Sequence, residues 1–225
     1  MSARARLAGR GARLAALVLA AALTTALANS TTAGAFSAST ADTGNSVGSA
    51  SSFCVAPGST STVVSAGDSW TDKAAPTTTH GGDTTLRVRS SSAGDGRVWV
   101  RFTLPSSPAH CAVTAAVLSL YARAPVDGRI IDVYRGHYAT PVWTSAGITW
   151  ATQPAAEGTR VSSNSLAAPG WQTWTVTAHV QFQYLNGNNG LVLQDRAEGA
   201  ASAVEQLYDD LQTPATAPRL QVTWG

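Results

Sequence analysis

The sequence predicts an all-β fold, a two-sheet sandwich or jelly roll of antiparallel strands with one short helix. Three observations predict it. Between Val63 and Trp224 the apolar residues fall in short runs at period two, the spacing that puts alternate side chains on one face of a strand. Gly, Pro, Ser and Asn punctuate these runs. A helical pattern is confined to Ala178 to Leu185, with Thr177 as its N-cap and Asn186-Gly187 as its stop. Many short strands separated by turns pack as two layers, because each strand has a single apolar face to bury.

The elements follow in chain order. Residues 1–35 read as a secretion signal: Arg4, Arg6, Arg10 and Arg13 precede the apolar run Leu14 to Leu23, and no acid is present. That run is too short for the roughly 20 residues of a membrane span. Ala26-Leu27-Ala28 and Ala33-Gly34-Ala35 are both cleavage sites, so a cut follows Ala28 or Ala35, and Phe36 favours the second. Residues 36–62 are mostly Ser, Thr, Ala and Gly, which bury too little surface to offset ordering entropy and read as a flexible stalk. Residues 63–225 form the domain.

Its clearest strand is Arg97 to Leu104. Val98, Val100, Phe102 and Leu104 take one face, and Arg97, Trp99, Arg101 and Thr103 take the other. Further strands are expected at Val63-Val64, Thr85 to Arg89, Val113 to Ala122 and Arg129 to Arg135. The remaining ones are Ile148 to Trp150, Trp171 to Thr177, Gly190 to Gln194 and Arg219 to Trp224.

Charge and cysteine usage narrow the function. The chain has 15 basic and 13 acidic residues, but four of the basic ones belong to the signal, which leaves 11 against 13, a net charge of −2. Nucleic acid is thereby disfavoured as a partner, since a phosphate footprint needs clustered Lys and Arg and the chain holds one lysine, Lys73. Cys54 and Cys111, in an exported chain, are expected to form a disulfide. Closing so long a loop contributes at most about 4 kcal/mol in the chain-entropy model.

The order of motifs adds a family. It runs from Gly67-Asp68-Ser69-Trp70 and Thr84-Thr85-Leu86-Arg87-Val88 to the Val100-Arg101-Phe102 strand with Leu104-Pro105. Ala116-x-Leu118-x-Leu120-Tyr121, Gly147-Ile148-Thr149-Trp150 with Pro154, and Trp174-x-Val176-Thr177 follow. Asn189-Gly190-Leu191-x-Leu193 and Pro218-x-Leu220-x-Val222-Thr223 complete it. This succession resembles the DNRLRE domain, also described as carbohydrate-binding module family 96, over about Thr62 to Trp224. The resemblance implies a jelly-roll β-sandwich on secreted bacterial proteins and, for some members, polysaccharide binding. Two departures touch the polar contacts of the family pattern: Thr175 stands where Asp is frequent, and Leu207 to Gln212 replaces a Ser-x-Glu segment. Phe36 to Ser46 resembles the start of actinobacterial exported proteins.

The candidate site is a face. With Leu86 and Val88 turned inward, Arg87 and Arg89 point outward beside Arg97, Trp99 and Arg101, gathering guanidinium groups around an indole. Such groups suit the carboxylates and sulfates of an acidic polysaccharide, and indole stacks on sugar rings. The competing reading has these arginines paired with Asp83, Asp95 or Asp132 and Trp99 packed under a loop. Trp143 and Trp171, beside Pro and Gly, are candidates for an exposed platform, whereas Trp70, Trp150, Trp174 and Trp224 read as packing residues.

No cofactor is expected. His80, His110, His137 and His179 are scattered without zinc spacing, and the weak calcium candidates are Asp68, Asp72 and Asp83, with Asp209-Asp210 a further source of oxygens. The glutamates Glu157, Glu198 and Glu205 lie in loop-like stretches and show no catalytic pattern. The expected function is a secreted, extracellular or cell-surface, non-catalytic module whose partner is a polysaccharide or cell-envelope glycan. A structural or adhesive module that binds protein and a small polysaccharide-degrading enzyme are the alternatives.

Overall fold

The computed structural model describes residues 53–139 and 141–225. The export segment, its two cleavage sites and most of the stalk lie outside the described residues. Ten strands and one helix are described. In order they are β1 (Thr60–Asp72), β2 (Thr85–Ser90), β3 (Gly96–Phe102), β4 (Val113–Ala124), β5 (Ile130–Gly136), β6 (Ala156–Asn164) and β7 (Gly170–Thr175). The helix α1 (Thr177–Asn186) follows, then β8 (Leu191–Asp195), β9 (Val204–Asp209) and β10 (Arg219–Trp224).

Every pairing is antiparallel, and the two sheets share one strand. The first half of β1 pairs with β10, β10 with β4, and β4 with β7. Between Ser65 and Gly67 the register of β1 shifts, and its second half pairs instead with β3. From β3 the second sheet continues through β8 and β5 to the edge strand β6. A ribbon of β9 and β2 closes the other side, with β9 against the end of β4 and Arg89 of β2 opposite Gly96 of β3. The result is a jelly-roll β-sandwich, with β1 bent across one seam.

The period-two pattern fills the space between the sheets. Leu118, Leu120, Trp174, Leu220, Val222 and Trp224 of the first sheet meet Val98, Val100, Ile131, Val133, Leu191 and Leu193 of the second. Burial of each such side chain is worth about 1.5–3 kcal/mol relative to exposure. Two polar groups that enter the core find partners there: the Tyr208 hydroxyl donates to Gln172 Oε1 at 2.7 Å, and Trp174 Nε1 donates to the Ile131 carbonyl at 3.0 Å.

The helix packs on β4, burying His179, Val180 and Gln183. Burial holds the His179 imidazole below its ordinary pKa. Thr177 does not cap this helix. Val176 occupies the N-cap position, and the Thr177 hydroxyl instead accepts the Ala116 N–H of β4 at 3.0 Å. The end at Asn186-Gly187 is as expected, with Gly187 at φ 119° and its N–H bonded to the Gln183 carbonyl.

Three strand expectations differ from the fold. Ile148 to Trp150 is not a strand but part of the long connection from β5 to β6, where Ile148 is buried for a different reason, described below. Polar β6 and β9 are strands without apolar alternation, β6 because it is an exposed edge. β1 begins at Thr60, so the last residues of the expected stalk belong to the fold. Cys54 is bonded to Cys111, as expected, tying the chain before β1 to the root of β4. No helix among the described residues is long and apolar enough to cross a membrane.

Candidate functional site

Two outward faces carry the aromatic and basic residues, one on each sheet. On the second sheet the register places Thr71, Ser69 and Gly67 of β1 beside Arg97, Trp99 and Arg101 of β3, all pointing away from the core. That orientation is the expected one, but the face is not open. The connection from β5 to β6 folds over it, and Trp99, Trp143, Ile148 and Val192 form a second, smaller core beneath it. Trp99 is 0% exposed, so it offers no ring to a ligand. It meets Trp143 edge to face at 6.1 Å and donates to Gln153 Oε1, which also accepts the Thr71 hydroxyl, each at 3.0 Å.

The arginines do not converge on one indole. After Arg89 and Gly96 the two strands part, β2 to pair with β9 and β3 with β1, which carries their side chains to separate partners. Arg87 lies 5.3 Å from the Trp70 ring and 3.2 Å from Glu205. Arg89 pairs with Asp72. Arg97 grips Glu198 through two bonds of 2.7 Å and lies over Trp150 at 4.8 Å. Arg101 lies over Trp143 at 5.6 Å with no carboxylate at ion-pair distance. Loop packing of Trp99 thus accompanies arginine pairing, though with partners other than those expected.

The aspartates named for that pairing are engaged elsewhere. Asp83 accepts from Trp70 Nε1 at 2.8 Å and meets His80, and Asp132 pairs with Arg196. Asp95 is buried, which raises its pKa, but N–H groups of Gly199 and Ser91 and the ammonium of Lys73 outweigh burial and hold it below the usual range.

Trp143, a platform candidate, is 6% exposed. Its Nε1 donates to the Asn189 carbonyl at 2.9 Å, and its ring packs on Gly190. Only glycine fits there: φ is +80°, and a Cβ would stand 2.7 Å from the Val100 carbonyl oxygen. Beside the Trp143 edge is a pocket of about 360 Å³ formed with Pro141, Val142, Thr144 and Ile148.

The outer face of the first sheet is uncovered. Trp171 of β7 is 37% exposed and stands opposite Tyr121 of β4, ring to edge at 5.6 Å. Arg219 of β10 lies over the Trp171 ring at 4.6 Å, its guanidinium donating to the Ala215 carbonyl at 2.6 Å. The register continues the surface in rows, with Val64, Arg219, Ser119 and Thr173 across one and Thr62, Gln221, Val117 and Thr175 across the next. β4, β7 and β10 contain no Asp or Glu. Of the described arginines, Arg101 and Arg219 alone have no carboxylate within ion-pair distance. Tyr121 and Arg219 escaped sequence reasoning because the pairing that unites them with Trp171 is long-range.

The calcium candidates Asp68, Asp72 and Asp83 do not form one cluster. Asp72 and Asp83 have the partners given above, and no group of three or more His, Cys, Asp or Glu suited to a metal ion is found among the described residues.

Compared with known families, the chain matches the model of carbohydrate-binding module family 96 over residues 59–223, from the start of β1 almost to the end of β10. No curated protein matches it.

Proposed function

Because the chain belongs to carbohydrate-binding module family 96, we propose that it is an exported, non-catalytic module that holds an acidic polysaccharide on the open face of the first sheet. The observation that carries this reading is the pairing of the exposed Trp171 ring with the Arg219 guanidinium at 4.6 Å, on strands without an acid. The indole supplies a flat apolar surface for a pyranose ring. Arg219 supplies a planar fork for a neighbouring carboxylate or sulfate. Tyr121 and Arg219 hold the ring on two sides, so less side-chain freedom is lost when sugar arrives. Ser119, Thr173 and Gln221 place hydroxyl and amide groups within the same rows for sugar hydroxyls.

The glutamates support a binding role over a hydrolytic one. Glu198 and Glu205 are bonded to Arg97 and Arg87, and Glu157 lies 3.8 Å from Arg135 and from His137. The disulfide fits an oxidising, extracellular setting.

Affinity electrophoresis of the purified chain tests the reading, using gels that contain alginate or a neutral glucan. Retardation on alginate that weakens with salt is expected, with Trp171→Ala losing it and Arg219→Ala losing it in large part. Equal migration of wild type and both variants on every gel would overturn it.

A further inference from the structure

We propose that Asp68 and Asp210 together hold a hard divalent cation, Ca²⁺ in preference to Mg²⁺, tying the middle of β1 to the turn after β9. The two carboxylates adjoin through the backbone: the N–H of Leu211, next in the chain after Asp210, donates to Asp68 Oδ2 at 2.8 Å. The Ser65 hydroxyl reaches the same Asp68 oxygen at 3.2 Å. Asp210 Oδ1 accepts the Thr213 hydroxyl at 3.2 Å, but its Oδ2 is buried with no partner, on a residue that is 0% exposed.

Neither carboxylate has an arginine, lysine or histidine at ion-pair distance among the described residues, whereas the adjacent acids do. Asp72 has Arg89, and Asp209 has Arg123 at 2.7 Å. The pair is therefore a buried pocket of negative charge in a sandwich that gives its other buried acids cationic partners. Burial, and then the neighbouring Asp210 carboxylate, push the Asp68 carboxyl up to about 6.

An ionised carboxylate without a partner is costly to bury, and two facing each other cost more. A divalent cation cancels both charges at once. Two side-chain carboxylates, nearby hydroxyls and carbonyls, and water make an irregular all-oxygen shell, which Ca²⁺ accepts and octahedral Mg²⁺ tolerates poorly. Zinc suits the cluster less well, since it offers no nitrogen or sulfur ligand.

The rival account has the two carboxyl groups share one proton. Thermal unfolding and calorimetric titration of the EDTA-treated, dialysed full chain near pH 7.5 separate the two. One-to-one calcium binding and a rise of several degrees in the unfolding temperature are expected, with a smaller response to magnesium. Asp210→Asn should abolish that response, and Asp68→Asn should do the same if the first variant folds poorly. A wild type indifferent to millimolar calcium, with either Asn variant simply more stable, would overturn the cation site and establish the shared proton.

Discussion

The two outer faces of the sandwich are built by the same alternation and end differently. On the second sheet, Trp99 points outward from β3 and is then roofed by the connection from β5 to β6, which turns an outward row into a second core. On the first sheet, Trp171 points outward from β7 and stays in solvent, braced by Tyr121 and Arg219. The covered face neutralises most of its arginines with glutamate or aspartate, while the open face keeps Arg219 away from carboxylates. Outward direction is therefore a local property of a strand, and availability is a property of what the rest of the chain lays over it.

That contrast breaks first at Trp99. Trp99→Ala should lower unfolding stability by about 3–5 kcal/mol, read by urea denaturation, because it empties a packed site and leaves Gln153 without its indole donor. Glycan retention by the fraction that remains folded should be unchanged. Trp171→Ala should do the reverse, weakening glycan binding at least tenfold, about 1.4 kcal/mol, with stability moved by no more than about 0.5 kcal/mol. If Trp171→Ala unfolds the protein while Trp99→Ala abolishes binding in a folded one, the two faces have been assigned the wrong way round.

The smallest effect sharpens the covered side. Asp95 has its carboxyl held below the ordinary value, so its stabilising contribution is present above the unfolded pKa of about 3.9 and disappears as pH falls through the lower folded value. Asp95→Asn should therefore destabilise at pH 7 by about 1–2 kcal/mol and lose that difference as the wild type is acidified below pH ~4. A stability gap that stays constant across this range would show that the lost contacts are not those of the carboxylate charge.

Much of the fold was legible because strands announce themselves locally. β3 and β10 carry unbroken alternation and β4 carries it from Ala116 to Ala122, and both the oxidising destination expected for the chain and its cysteine pair pointed to the bond between Cys54 and Cys111. β6 and β9 were not legible: β6 is a polar edge, and β9 sits in a ribbon whose inward Gln206 and Tyr208 interrupt the apolar signal. Ile148 read as strand because burial against Trp99 and Val192 imitates burial in a sheet. At the candidate site, Trp171 drew notice from the Pro169-Gly170 turn before it, but its neighbours come from strands far away in sequence. Which carboxylate each arginine would meet was equally hidden, because β2 and β3 diverge after one shared rung.

The bond between Cys54 and Cys111 also decides how the domain bears load. Cys54 precedes β1, and Cys111 stands two residues before β4, the strand flanked by β10 and β7. A pull on the chain ahead of Cys54 passes through sulfur directly into β4 instead of peeling β1 away from β10 rung by rung. Tension is delivered to the middle of the sheet that carries Trp171, to a strand held by ladders on both sides, so that such a pull loads the sheet in shear.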